Sequence, residues 1–168
     1  VGPAREVVYD EETAKAAAIA IADELKERQA VLRSLGNEEL VEHLTEKVEA
    51  HIEKLSSGLF FDAAELYISK FYPKLCTIMD YFENRFMTVL VEPGRIKEAQ
   101  KNVAFEIEET YKGLLETGEI LPSQAGIYYS PFEILESLKN NKTVYFSMLP
   151  KTYPEFEPSG LYSFQFRS

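Results

Sequence analysis

Two stretches of apolar residues near the amino terminus repeat at intervals of three or four residues, the period of one helical face. The first stretch consists of Ala14, Ala18, Ile21, Leu25, Leu32 and Leu35, and the second of Val41, Leu44, Val48, Ile52 and Leu55. Asp10 precedes the first stretch as a candidate N-cap, and Gly36 with Asn37 separates the two. This pattern predicts a helical hairpin over residues 10–58, preceded by a short extended piece at residues 7–9.

An aromatic segment and a continuous apolar run follow the hairpin. Residues 59–82 are rich in Phe and Tyr, and Pro73 predicts that a short helix in this segment ends by Tyr72. Because Lys70 and Lys74 are the only cations among residues 59–82, we interpret the segment as core or interface rather than as a platform for stacking bases. Residues 86–91 (FMTVLV) have the composition of a strand that is buried on both faces.

Helical and strand patterns alternate through the second half of the chain. The predicted elements are a helix over 95–116, a short strand at 127–129, a helix from Ser130 to about Leu138, a strand at 143–147, an extended proline-rich connector at 150–158 and a strand at 161–167. Such alternation favours a small, mostly parallel sheet. The predicted fold class is therefore α/β, with a helical hairpin followed by a small, mostly parallel sheet and its helices.

The charge balance of the 168 residues restricts the classes of partner. The chain has 18 Lys and Arg against 28 Asp and Glu, a net charge of −10, and no basic stripe. Phosphate backbones and anionic membranes attract clustered cations, so we predict neither direct nucleic-acid binding nor membrane binding. A single cysteine excludes an internal disulfide and agrees with a cytoplasmic location. Because the chain begins with Val1 rather than Met, we expect a processed or excised piece.

Few residues are candidates for chemistry. His43 and His51 lie eight residues apart on the second predicted helix, and the roughly 12 Å of helical rise between them is too long for one shared metal ion. We interpret both as residues of a polar, acidic helix face. Cys76 stands in an apolar stretch with no basic residue between Lys74 and Arg85, which predicts a buried structural thiol. No metal, cofactor or catalytic residue is predicted.

The end of the apolar run at residue 91 is the exception. In RecA-like ATPases a buried strand ends in an Asp–Glu pair, the Walker B motif, in which Asp orders the magnesium shell and Glu polarises water. Here Val91 stands at the Asp position, and Glu92 alone remains. The chain also lacks the GxxxxGK[ST] phosphate loop. We therefore interpret Val91 and Glu92 as a degenerate Walker B position.

Four blocks together resemble the bacterial transcription-repair coupling factor family, Mfd. They are VGPAREVVYDEETAKAA (1–17), FYPKLCTIMDYF (71–82), FMTVLVEPGRI (86–96) and LLETGEILP (114–122). The excision-repair protein UvrB carries related blocks, but Pro-Gly-Arg-Ile after Glu92 is closer to the Mfd pattern. Order and spacing of all four blocks fit, so the resemblance covers most of the chain.

The resemblance implies a particular place in a larger protein. The chain is similar to the second half of the UvrB-like amino-terminal module, a partial and degenerate RecA-like domain. Residues 1–9 would be a junction strand from the UvrA-binding insert, 10–58 a helical hairpin, 59–149 the α/β part of the host domain, and 150–168 a connector with a final strand. The implied function is a non-enzymatic scaffold that supports recruitment of UvrA to stalled RNA polymerase.

The resemblance also implies the partners, and two other readings stay open. Contacts would be with other domains of the same polypeptide and, through the adjacent inserted domain, with UvrA, while the parent protein would be an ATP-dependent DNA translocase. One alternative is a fragment of an active UvrB-like DNA-dependent ATPase, and another is an unrelated helical interaction domain. If the strand at 86–91 is central, Val89→Lys should unfold the domain, and the excised sheet should have an open edge.

Overall fold

The computed structural model describes residues 7–82, 86–138, 141–149, 153 and 159–164. The helices are α1 (Glu11–Ser34), α2 (Glu38–Ser56), α3 (Ile68–Phe71), α4 (Pro93–Glu116) and α5 (Pro131–Leu138), and the strands are β1 (Met87–Val91) and β2 (Lys142–Phe146). Short 3-10 helices occupy Asp62–Tyr67, Ile78–Phe82 and Pro122–Gly126. The predicted α/β class, a helical hairpin with a small parallel sheet, is confirmed.

The chain divides into two compact units. The first contains residues 1–77 and 106–129, and the second contains residues 78–105 and 130–168. Helix α4 contributes its first part to the second unit and its last part to the first. The predicted boundaries at residues 58 and 149 remain predictions.

Local chemistry sets the ends of the hairpin helices. The Asp10 carboxylate accepts a hydrogen bond from the Thr13 backbone N–H at 2.8 Å, which caps α1 as predicted. At the other end Gly36 has φ +75°, a left-handed conformation that glycine adopts without steric penalty. The Gly36 N–H donates to the Arg33 carbonyl, and the Asn37 N–H donates to the Leu32 carbonyl. This pair of hydrogen bonds is the Schellman motif that commonly ends a helix. The reversal between α1 and α2 therefore needs no tertiary contact to form.

The core of the first unit lies between α1 and α2. Ile21 and Leu44 are completely buried, and most positions of the two predicted apolar stripes are buried with them. Leu35 is an exception, because it lies in the turn after α1 and is 66% exposed. Tyr67 and Leu121, which belong to other parts of the first unit, complete this core.

The aromatic segment divides between core and surface. Tyr67 and Phe71 are buried, whereas Tyr81 and Phe82 are exposed. Helix α3 ends at Phe71, and Tyr72 has extended dihedral angles of −121° and 124°, as expected for a residue before proline. The prediction of a short helix that ends by Tyr72 is confirmed.

The second unit contains the parallel pair β1 and β2, with Val89 opposite Val144 and Val91 opposite Phe146. The prediction that β1 is buried on both faces is wrong. Only Leu90 is buried, while Val89 is 48% and Val91 63% exposed. The reason is that, among the described residues, the sheet has two strands and its other face is left uncovered.

Two further strand predictions are not met within the described residues. Residues 127–129 and 161–164 belong to no strand, and residues 7–9, predicted as a short extended piece, lie outside any helix or strand. Ile127 has helical dihedral angles of −83° and −5°, because it ends a 3-10 helix. Residues 161–164 are fully exposed, so their alternating pattern has no core to face. Residues 1–6, 150–152, 154–158 and 165–168 lie outside the described part of the chain.

Helix α5 begins as predicted. The Ser130 hydroxyl accepts a hydrogen bond from the Glu133 N–H at 3.2 Å, and the Glu133 carboxylate accepts one from the Ser130 N–H at 2.8 Å. This reciprocal arrangement is a capping box, which satisfies two backbone donors at the start of the helix. The predicted start of this helix at Ser130 is therefore confirmed.

The exposure of Val89 changes the expected outcome of a lysine substitution. In this chain Val89→Lys should change the free energy of unfolding by less than about 1 kcal/mol, because a half-exposed lysine keeps its charge in water. Leu90→Lys should cost several kcal/mol, since it buries a cation at a site that is 8% exposed. Chemical denaturation measures both, with Glu98→Lys on the surface of α4 as the control. Equal losses at residues 89 and 90 would contradict the strand orientation.

Candidate functional site

The carboxyl end of β1 is the place where a RecA-like protein would hold its magnesium and water. Glu92 joins three elements there. Its N–H donates to the Phe146 carbonyl at 2.8 Å, and its side-chain Oε1 accepts from the Met148 N–H at 2.6 Å. Its carbonyl accepts hydrogen bonds from the N–H groups of Arg95 and Ile96, at the start of α4. Glu92 therefore connects the ends of both strands to the following helix.

The backbone of Glu92 is strained. Its φ of +53° lies in the left-handed region, which costs a non-glycine residue about 1–3 kcal/mol of conformational free energy. Such a residue keeps this conformation only where contacts with the surrounding structure hold it there. The hydrogen bonds of Glu92 with β2, with Met148 and with the start of α4 hold its backbone in this conformation. The sequence placed Glu92 after the strand, but it contained no signal for the left-handed conformation or for the bond to Met148.

The two residues of the predicted site differ in what they contact. One carboxylate oxygen of Glu92 is already engaged by a backbone N–H, and the neighbouring Val91 presents an apolar side chain to solvent. Across the residues that the structure describes, no group of three or more His, Cys, Asp and Glu side chains could hold a metal ion. The hydrogen bonds of Glu92 hold the ends of both strands and the start of α4 together.

The two histidines make separate contacts in the first unit. His43 Nε2 lies 2.9 Å from Glu119 Oε1, and Lys47 Nζ lies 2.5 Å from the other oxygen of the same carboxylate. Hydrogen bonds from Lys47 first, and then His43, hold the pKa of Glu119 below its ordinary value. His43 thus lies on a polar face, as predicted, and fastens α2 to the segment after α4.

His51 departs from the predicted polar face. Its Nδ1 lies 2.9 Å from the Tyr67 hydroxyl oxygen, and its ring stacks on Phe61 with centroids 4.9 Å apart. Burial lowers the pKa of His51, and the nearby charges of Lys54 and Lys47 lower it further. Burial also raises the pKa of the Tyr67 hydroxyl. The two histidines therefore contact different groups and form no common site.

The prediction for Cys76 is wrong. The thiol is exposed rather than buried. Residues 73–77 form no regular helix or strand, so the apolar residues beside Cys76 in sequence are not folded around it. Apolar neighbours along the chain predict burial only where a helix or strand turns them towards a core.

A partly buried ion pair between α1 and α3 was missed from the sequence. Lys70 Nζ lies 2.6 Å from Glu24 Oε2, and the two side chains are only 21% and 14% exposed. The other oxygen of Glu24 accepts a hydrogen bond from the Ser123 N–H at 2.7 Å. These contacts border a cleft of about 450 Å³ and join α1 to α3 and to the 3-10 helix at Pro122–Gly126.

The electrostatics of Glu24 favour the ionised form. Burial alone would raise the pKa of this carboxyl, but the hydrogen bonds from Lys70 and Ser123 outweigh burial, and the pKa lies below its ordinary value. Arg28, one turn further along α1, donates to the Leu115 carbonyl at 3.2 Å. The sequence did contain a signal for these contacts. Glu24 and Arg28 lie on the same face of α1 as Ile21 and Leu25, so two charged residues fall beside the apolar residues of the buried face.

These features define a class of protein: an α/β segment in which charged side chains join separate helices, strands and turns, and whose described residues contain no cluster of three or more metal-ligating side chains. Within those residues, no helix combines the length and the apolar character needed to cross a bilayer. No family model matches the chain.

Comparison with curated proteins identifies relatives that are all named transcription-repair-coupling factor. The protein of Bacillus subtilis is 31% identical over 121 residues, which are 72% of this chain and 10% of the relative. That of Staphylococcus haemolyticus is 32% identical over 103 residues, which are 60% of this chain and 9% of the relative. The Staphylococcus epidermidis protein is 32% identical over 97 residues.

The predicted resemblance is therefore confirmed, and the chain is similar to one segment of the transcription-repair-coupling factors, the Mfd proteins. The chain spans about a tenth of the length of the curated relatives that it matches.

Proposed function

We propose that this chain is a non-enzymatic scaffold segment of a transcription-repair-coupling factor, and that it supports recruitment of UvrA and the excision-repair machinery to stalled RNA polymerase. The observation that carries the proposal is the carboxyl end of β1. Val91 stands where a magnesium-ordering Asp is required, and one oxygen of the Glu92 carboxylate accepts a hydrogen bond from the Met148 N–H.

The sheet of the second unit supports a role inside a larger protein. The register of β1 and β2 places their exposed apolar residues on one face. They are Met87, Val89, Val91, Val144 and Phe146. Parallel sheets are normally covered on both faces, and a contiguous apolar surface of this kind usually marks an interface. A segment that spans a tenth of its relatives has the remaining polypeptide available as the cover.

The substitution Glu92→Gln in the full-length coupling factor tests the non-enzymatic role. We expect ATPase activity to stay within about twofold of the unmodified protein, because the proposal locates hydrolysis in other domains. If this segment were part of an active UvrB-like ATPase, loss of the water-polarising carboxylate should reduce hydrolysis by about 100-fold or more. Calorimetric titration of the 168-residue chain with Mg-ATP should show no binding, and a micromolar site would also overturn the proposal.

A binding measurement tests the scaffold role. By the resemblance, UvrA is bound through the adjacent inserted domain, so the full-length protein should retain UvrA on a column while the 168-residue chain alone should not. Retention by this chain at micromolar concentration would locate the contact here instead. With a net charge of −10, the chain should also fail to retard duplex DNA at physiological salt.

A further inference from the structure

Residues 7–9 lie against the open end of the hairpin, where α1 begins and α2 ends. Val7 is 2% exposed and belongs to the hydrophobic core, whereas Val8 is 68% exposed. Tyr9 lines a small cleft together with the last residues of the α2 turn, Ser56 to Gly58. The segment thus closes the hairpin on one side, although it belongs to no strand.

Aromatic side chains fasten this segment instead of a neighbouring strand. The Tyr72 hydroxyl accepts the Val8 N–H at 3.0 Å and donates to the Val8 carbonyl at 2.9 Å, so a single side chain satisfies both backbone groups of one residue. The Tyr9 ring stacks between Phe60 and Phe71, with centroid distances of 4.5 and 4.9 Å. Its hydroxyl donates to the Leu59 carbonyl at 3.2 Å.

We propose that residues 7–9 form a strap that opens as a unit while helices α1 and α2 stay folded. The contacts that hold it include three exposed side-chain hydrogen bonds, the stacking of Tyr9 and the burial of Val7. The helices are held by their own backbone ladders and by completely buried residues such as Ile21 and Leu44. Val7 is buried, but this three-residue segment belongs to no helix or strand and its side-chain hydrogen bonds are exposed, so we expect it to open at lower free energy than the helices.

Opening the strap also changes the core. When it opens, the apolar cluster that includes Leu55 and Phe71 loses the cover of Val7. This inference stands on the first unit alone and does not depend on the proposed function.

Amide hydrogen exchange of the Tyr72→Phe variant tests the strap. This change keeps the ring and removes both hydrogen bonds to Val8. We expect exchange at residues 8 and 9 to become at least tenfold faster, while exchange at Leu44 and Val48 inside α2 stays unchanged. Tyr81→Phe is the matched control, since Tyr81 is 80% exposed, and it should alter neither region.

Tyr9→Leu provides a second variant that removes the stacking and the bond to Leu59, and it should give the same selective acceleration. An equal increase in the strap and in α2 would show that the strap opens only with the whole hairpin, which overturns the inference. No change in either variant would show that these side chains do not hold the strap. Global unfolding of both variants, seen by circular dichroism, would overturn the inference as well.

Discussion

Leu44→Ala should lower the free energy of unfolding of the first unit by about 2–5 kcal/mol, the usual range for removing a leucine from a well-packed core. Leu44 is completely buried on α2 and belongs to the core between the two hairpin helices. Its truncation removes apolar contacts and leaves a cavity that rigid helices cannot fill. Urea denaturation followed by circular dichroism measures the change.

Leu35→Ala is the matched control for this prediction. Leu35 was assigned to the same apolar stripe from its spacing, but it is 66% exposed after the end of α1. Its truncation should change stability by no more than about 0.5 kcal/mol. If both substitutions destabilised the protein equally, the buried face of the hairpin would be assigned wrongly.

Glu24→Ala should destabilise the first unit by about 2–3 kcal/mol, somewhat less than a fully buried ion pair because both partners keep some exposure. The substitution leaves Lys70 and the Ser123 N–H without the carboxylate that they share. Glu11→Ala is the control, because its ion pair with Lys15 on the surface of α1 is solvated and should matter little. Thermal and urea denaturation compare the two.

A double variant separates loss of the pair from loss of packing. Glu24→Leu with Lys70→Met replaces both charges by apolar groups, and it should recover much of the stability that Glu24→Ala loses. If the double variant were as unstable as the single one, the ion pair itself would not be the source of the effect.

The same carboxyl predicts how stability depends on pH. Its pKa in the folded protein lies below the ordinary value of 4.5, so the stabilisation is fully present above that value and is lost as the pH falls through the folded pKa. The unmodified chain should therefore lose stability below about pH 4.5 more steeply than Glu24→Gln. Parallel slopes for the two proteins in acid would contradict the assigned ion pair.

The sequence by itself determined the features whose chemistry is local. The Asp10 cap, the left-handed Gly36, and the Ser130 capping box depend on groups within a few residues of one another. The apolar periods of α1 and α2 likewise identified the buried face of the hairpin. The ordered blocks that resemble Mfd were also readable along the chain, and the curated relatives confirm them.

Only the tertiary structure decided which of these residues are covered and what the polar groups contact. A continuous apolar run predicts a strand, but burial requires neighbours on both sides, which the described sheet does not supply to Val89. Cys76 is exposed for a related reason, since its apolar neighbours are not arranged around it. Glu24 meets Lys70 and the Ser123 N–H, and Glu92 meets the Met148 N–H, across separations of 46 to 99 residues. Contacts between residues so far apart in the sequence cannot be predicted from hydrophobic periodicity. Each of them depends on how helices, strands and turns pack together, and not on the spacing of residues within one helix or strand.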